Sequence, residues 1–254
     1  MRVRAAMCFL LCQSAWATNS WTLGNLPSDY QGSFGTQHTV GIFYDPTYLQ
    51  YRGSSLRLKV TVPYISVSHL PVGSHLTNAT VSTHTQSTRT TTASGLGDVW
   101  LAAHYTLIPE SGLRPAWVPY VKVKLGTASA SKGLGTGQND YEVGMGVNTT
   151  IGSNMFPFAH VGYRFVGRPA GQNLQNIATY DAGVSVALTP RNILTTMYSG
   201  EQSEQPGYAG PSDAIIAWNY NVTVAGSGFQ VYLDKGLSSG SAAIGGGLGG
   251  QIVF

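Results

Sequence analysis

The sequence predicts an all-β chain closed into a transmembrane antiparallel β-barrel of about 12 strands in a bacterial outer membrane. Three observations carry that expectation. The first is the final stretch, Gly240 to Phe254, which reads as one two-sided strand. Ile244, Leu248, Ile252 and Phe254 share one face, and Gly245, Gly247, Gly249 and Gln251 share the other. The apolar face must meet something apolar and both strand edges must be paired; a barrel closed in lipid meets both demands. A terminal Phe also resembles the end signature of outer-membrane barrels, so Phe254 is the expected assembly signal.

The second observation is the start of the chain. Met1-Arg2-Val3-Arg4 is cationic, Ala5 to Leu11 is apolar, and Ala15-Trp16-Ala17 fits an A-x-A cleavage pattern. Residues 1–17 therefore read as an export signal cleaved before Thr18, and residues 18–254 as the barrel. The apolar stretch is far shorter than the roughly 20 residues of a spanning helix. The third is composition. Charged residues make up 10% of the chain, against about 25% in typical soluble domains. A wall with one face in lipid needs few charges there.

These features exclude several functions. Cys8 and Cys12 both lie in the expected signal, so the exported chain would have no disulfide, thiol nucleophile or cysteine metal site. Of 14 Lys+Arg, removal of Arg2 and Arg4 leaves 12 against 11 Asp+Glu, a net charge of +1 with no pull toward nucleic acid. Helix-length apolar runs are missing after the signal, which argues against an inner-membrane helix bundle.

The strands follow in order as alternating segments separated by turn chemistry. Trp21 to Tyr30 is a degenerate first strand and Thr39 to Tyr48 a second. Leu56, Leu58, Val60 and Val62 alternate with Arg57, Lys59 and Thr61. Val99, Leu101, Ala103 and Tyr105 alternate with Asp98, Trp100 and His104. Val121, Val123 and Leu125 enclose Lys122 and Lys124; Tyr141, Val143 and Met145 alternate with Asp140 and Glu142. Val161, Tyr163 and Phe165 alternate with His160 and Arg164, and Tyr180 to Leu188 carries Asp181 on its other parity. Thr195 to Ser203 is weaker. Ile216, Trp218 and Tyr220 alternate from Asp213 onward, Phe229, Val231 and Leu233 alternate with Asp234, and the C-terminal strand completes the set. Short turns at 110–113, 152–154, 189–192 and 225–228 alternate with longer loops at 69–94, 127–139, 168–175 and 204–212. Barrels place short turns at the periplasm and long loops outside.

If the apolar positions face lipid, the alternates line the lumen: Arg57, Lys59, Asp98, His104, Lys122, Lys124, Asp140, Glu142, His160, Arg164, Asp181, Asp213 and Asp234. Lys122, Lys124, Asp140, Glu142 and Arg164 should meet as a cross-strand charge cluster. Such a cluster either sorts solutes or staples the lumen shut. Arg57 and Lys59, without an obvious partner, are the better candidates for solute contact. The uncharged glycine face of the last strand is expected to be the open wall.

Other motifs carry little chemistry. The glycine runs 133–137 and 245–250 lack the helix and Lys-Ser/Thr of a phosphate loop. The histidines lack ligand spacing, so no metal, cofactor or catalytic residue is implied.

The segments Ser94-Gly95-Leu96-Gly97-Asp98-Val99, Lys122 to Ala128, Ser131 to Tyr141 and Pro157 to Phe165 occur in that order. They resemble the outer-membrane transporter family of the MetA-pathway of phenol degradation type. The resemblance covers most of the chain after the signal and is best over residues 94–168. It implies a small outer-membrane channel for small, often hydrophobic or aromatic molecules. The expectation is thus a monomeric barrel for passive diffusion, with outer-membrane lipids, the barrel assembly machinery and a small-molecule solute as its partners. The rivals are a plugged barrel with a structural or surface role and an outer-membrane lipid-modifying enzyme.

Overall fold

The computed structural model describes residues 19–77, 81–83 and 87–254. The expected signal, residues 1–17, lies outside these residues, as does part of the expected long loop at 69–94. The strands are β1 (Ser20–Asn25), β2 (Ser28–Gly32), β3 (Val40–Arg52), β4 (Leu56–Pro71), β5 (Ser74–Leu76), β6 (Val81–Thr83), β7 (Thr90–Leu96), β8 (Val99–Tyr105), β9 (Ala116–Leu125), β10 (Asp140–Asn148), β11 (Met155–Phe165), β12 (Ile177–Ala187), β13 (Asn192–Glu201), β14 (Ser212–Asn221), β15 (Gly228–Gly236) and β16 (Ile244–Val253). All but β5 and β6 belong to one antiparallel sheet of 14 strands that closes on itself.

Two of its staves are broken. β1 and β2 both sit between β16 and β3, and together form the first stave. The break falls at Leu26-Pro27, where Pro27 has no N–H to give the ladder. β7 and β8 both pair with β4 and form the fourth, broken at Gly97-Asp98. The 14 strands therefore make a closed barrel of twelve staves. The seam is held at its lower end by Trp21 N–H donating to the Phe254 carbonyl (2.8 Å) and Phe254 N–H donating to the Trp21 carbonyl (2.9 Å). Deleting Phe254 removes this reciprocal pair. The heat-modifiable folded band on a gel is then expected to be lost; undiminished assembly would contradict a role for Phe254 in closure.

The exterior is apolar. Leu23, Leu49, Leu58, Val60, Val121, Val143, Val161, Ile216, Leu233, Leu248 and Ile252 all stand exposed on it. Aromatic residues gather at its two ends. Near the short turns lie the ring pairs Trp21–Tyr51 and Trp218–Phe229, with Tyr105 and Trp117; near the long loops lie Tyr163–Phe165 and Tyr180–Tyr198, with Tyr141. An apolar band between two aromatic girdles is the exterior of a membrane-spanning barrel. The alternation of strands showed the band; the girdles emerge only once strand ends are aligned.

The chain termini and the turns at 53–55, 106–115, 149–154, 188–191 and 222–227 share one end, here the turn end. The longer connections share the other, the loop end. Within the expected long loop at 69–94, described residues form strands that its Thr/Ser-rich sequence did not suggest. β4 runs on to Pro71, β7 begins at Thr90, and β5 pairs with β6 in a hairpin between them.

Staves in a barrel are staggered, so rows of paired residues climb as they pass around the wall. One inward row runs Arg57, His104, Tyr120, Gly144, Gly162, Thr179, Glu201. It starts near the turn end on β4 and finishes at the loop end on β13. The next row runs Lys59, Ala102, Lys122, Glu142, Arg164. This slant carries the unpaired cations to the turn end and most carboxylates toward the loop end.

Candidate transport lumen

The interior has three zones. The middle one is a charged wall. Lys124 Nζ lies 2.8 Å from Asp140 and 3.6 Å from Asp98. Asp98 sits at the break of the fourth stave and also accepts the Ala128 N–H (2.9 Å), while Asp140 accepts the Gly167 N–H (2.8 Å). Both carboxylates thus tie strands to loops. Arg164 is fully buried and donates through Nε and Nη2 to Glu142 (3.1 and 2.9 Å), through Nη2 to Glu201 (3.3 Å) and through Nη1 to Glu204 (3.1 Å). Glu142 further accepts from the Tyr120 hydroxyl (3.1 Å), Thr179 Oγ1 (3.3 Å) and Lys122 Nζ (3.3 Å).

The structure therefore brings together Lys122, Lys124, Asp140, Glu142 and Arg164, and adds Asp98, Glu201 and Glu204 to them. The two additional glutamates were missed because they lie in and just beyond the weakly patterned strand at 195–203. The signal available was Glu201 at the loop end of the row that contains Thr179. With them the group counts three cations against five carboxylates. Next to it, His160 Nδ1 lies 2.6 Å from Asp181. Asp181 stands between His160 and Ser199 in its row. Asp213 and Asp234 are also inward and buried, farther round the barrel.

Lys122 and Lys124 differ in access. The Lys122 side chain is 20% exposed and the Lys124 side chain 3%. Lys122→Ala is expected to shift ion selectivity, read as a changed reversal potential in a salt gradient. Lys124→Ala should leave selectivity alone and lower stability instead. The opposite pattern would contradict this division.

The second zone corrects the expectation of a polar lumen. Phe158 in the turn-end half of β11, then Met197 and Ala217, and at the loop end Tyr30, Val40, Ile42, Tyr44, Ile65, Val67, Ile215 and Tyr232 point inward and form one apolar cluster. Leu70 near the end of β4 adjoins it, and residues of the loop-end connections complete it: Phe34, Leu76, Val81 and Leu134. The β5–β6 hairpin is anchored by Leu76 N–H donating to the Gly133 carbonyl (2.9 Å). Strands that carry apolar residues on both parities, such as Ala214-Ile215-Ile216-Ala217, build this zone. A small recess of only about 20 Å³ remains between Val81, Glu204, Tyr208 and Gly240.

The glycine wall of β16 is not open. Tyr30 and Tyr232, on the two flanking staves, lie over Gly245 and Gly247, and their hydroxyls hydrogen-bond to each other. The glycines leave room for rings rather than for a solute. The same arrangement recurs where Tyr120 crosses Gly144 and Gly162 to reach Glu142.

The third zone is a vestibule at the turn end, with a volume of about 570 Å³. Arg52, Arg57 and His104 face it on one side. Ala116 and Val118 on the neighbouring β9, and Phe156, Ala187 and Ile193 farther round the wall, complete the lining. Lys59 stands just above, with Nζ 3.9 Å from the centre of the Tyr48 ring.

A closed membrane barrel with an internal vestibule, a charged wall and a loop-borne apolar seal has the form of a channel. No family model matches the chain, and no curated protein matches it. Among solved structures, an outer membrane channel from Pseudomonas putida F1 is similar over 96% of this chain and 98% of its own, at 12% identity and a TM-score of 0.72. The Ralstonia pickettii toluene transporter TbuX (9% identity, 96% and 90% covered, TM-score 0.44) and the P. putida toluene transporter TodX (11%, 96% and 91%, 0.41) align less well. The first likeness establishes a shared twelve-stave fold.

Proposed function

We propose that the chain is a monomeric outer-membrane channel for passive diffusion of small molecules, often hydrophobic or aromatic, and that the structure is its closed arrangement. One observation carries this reading: the open vestibule ends at a seal that loops complete. Leu76, Val81, Leu134 and Phe34 lie on connections, not on staves. A seal borne on loops can lift without breaking the barrel. The inward tyrosines, Phe158 and Met197 give an apolar solute a favourable surface, since burying apolar area contributes about 25 cal/mol per Å². The motif likeness noted above supports the same substrate class. In this reading the turn end faces the periplasm and the loop end the exterior, with the girdles at the lipid boundaries.

Conductance in planar bilayers is the test. Discrete openings are expected, blocked by added benzyl alcohol but not by sucrose at equal concentration. Openings that both solutes affect equally would remove the aromatic preference. The plugged-barrel rival expects no openings. It draws on the charged wall, but that wall occupies one side of the lumen and leaves the vestibule clear.

A further inference from the structure

Arg57 and Lys59 at the turn end lack what the cations of the charged wall possess. Arg164 and Lys124 are each matched to carboxylates. Among the described residues, neither Arg57 nor Lys59 forms an ion pair with a carboxylate, and Arg57 Nε is buried without a hydrogen-bond acceptor. His104 Nδ1 is likewise buried without a partner, although the ring stacks on Tyr120 at 5.4 Å. The charges gather rather than disperse: Arg57 lies in the field of Arg52, and Lys59 in the fields of Arg57 and Lys122. The vestibule does contain a carboxylate, Glu110, but the turn at 149–150 occupies it. Thr149 Oγ1 (3.0 Å) and Thr150 N–H donate to Oε1, and Thr150 Oγ1 donates to Oε2 (3.1 Å). Like charges held close together are destabilising, and a bound anion would compensate them.

We infer that this vestibule is a binding site for a small organic anion, with Arg57 receiving its carboxylate and the wall of Val118, Phe156 and Ile193 receiving its apolar body. Both recognition elements line the same space. The guanidinium presents a fork of N–H donors matched to a carboxylate, and the facing wall rewards an aromatic or aliphatic body over a bare inorganic ion. The site names a solute class for the channel proposed above. It rests on that reading only for the claim that the bound anion is in transit.

The test is calorimetric titration of the folded full-length protein in detergent with benzoate, benzyl alcohol and acetate. Benzoate should bind saturably, with the other two weaker by about tenfold or more, since each lacks one recognition element. Arg57→Gln should weaken benzoate binding by a similar factor, and Arg57→Lys by less. His104→Phe, which leaves Arg57 in place, provides a second variant should Arg57→Gln not fold. It should also weaken benzoate binding, by removing a donor that faces the vestibule. Arg57→Gln should further leave the unfolding midpoint in urea unchanged or raised, whereas a purely structural arginine would lower it. Equal binding of benzoate and benzyl alcohol, equal binding of benzoate and acetate, or unchanged affinity in the variants would overturn the inference. Benzoate binding without conductance would sink the channel reading and leave the site standing. Conductance without benzoate binding would do the reverse.

Discussion

Arg164→Ala is expected to destabilise the folded barrel by about 3–5 kcal/mol, the range seen when one partner of a buried charge group is removed. Arg164 is fully buried on β11, and its guanidinium is shared by Glu142, Glu201 and Glu204. Removing it leaves three carboxylates from β10, β13 and the following loop facing one another in a water-poor interior. Lys122, Tyr120 and Thr179 still reach Glu142, but none of these bonds bridges to β13. The loss should show as a lowered urea midpoint and a weaker folded band. A second variant separates charge from packing. Arg164→Met combined with Glu142→Gln, Glu201→Gln and Glu204→Gln removes all four charges, and should recover most of the stability because uncharged replacement of a whole buried group is often near neutral. An Arg164→Ala protein as stable as the parent would show that the charged wall does not hold the staves together.

Gly249→Val is expected to prevent closure of the barrel. Gly249 faces inward on β16 beside the break in the first stave. A Cβ there would lie 2.2 Å from the Asn25 carbonyl oxygen and 2.6 Å from Leu26 Cα. These are backbone atoms at the seam, so no side-chain movement relieves the clash. Gly250 is the control. It faces outward, and a Cβ there would lie 3.2 Å from the Gly228 oxygen. Gly250→Val should therefore assemble, adding apolar area toward lipid. The measurement is the folded fraction after refolding into detergent. Equal folding of the two variants would contradict the assigned faces of β16 and the position of the seam.

Much of the fold was legible because lipid imposes a simple rule. A strand with water or protein on one side and hydrocarbon on the other must alternate, and Leu56 to Val62 or Tyr141 to Val147 could hardly do anything else. The rule weakened where the inner face is itself apolar. Ile65, Val67 and Ile215 sit at inward positions next to outward apolar neighbours, so parity no longer marks the faces. The first stave was faint for another reason: Pro27 interrupts its ladder and splits its pattern in two. The hairpin β5–β6 was hidden because Leu76 and Val81 are isolated apolar residues within a Thr/Ser-rich stretch, and only their docking on the barrel interior gives them a role. For the lumen, the pairing of Lys122 and Lys124 with Glu142 and Asp140 followed from residue spacing. The contribution of Glu201 and Glu204 did not, because it depends on the stagger that lifts β13 to the level of Arg164. The glycine wall was misread for want of register: Gly245 is paired with Tyr30, and Gly247 with Tyr232, and each ring lies over its partner.

In the proposed channel, a loop-borne seal closes a barrel that is otherwise a conduit. Val72 N–H donates to the Arg89 carbonyl at 2.9 Å, so the two ends of the segment between them already meet. Residues 73–88 can therefore be replaced by a short glycine-serine linker without parting β4 from β7. The measurement is single-channel conductance of the parent and of this variant in planar bilayers. The expected result is brief or small openings in the parent and a steady, larger conductance once the hairpin is gone. Near-zero conductance in both proteins, with both shown to be folded, would contradict the account.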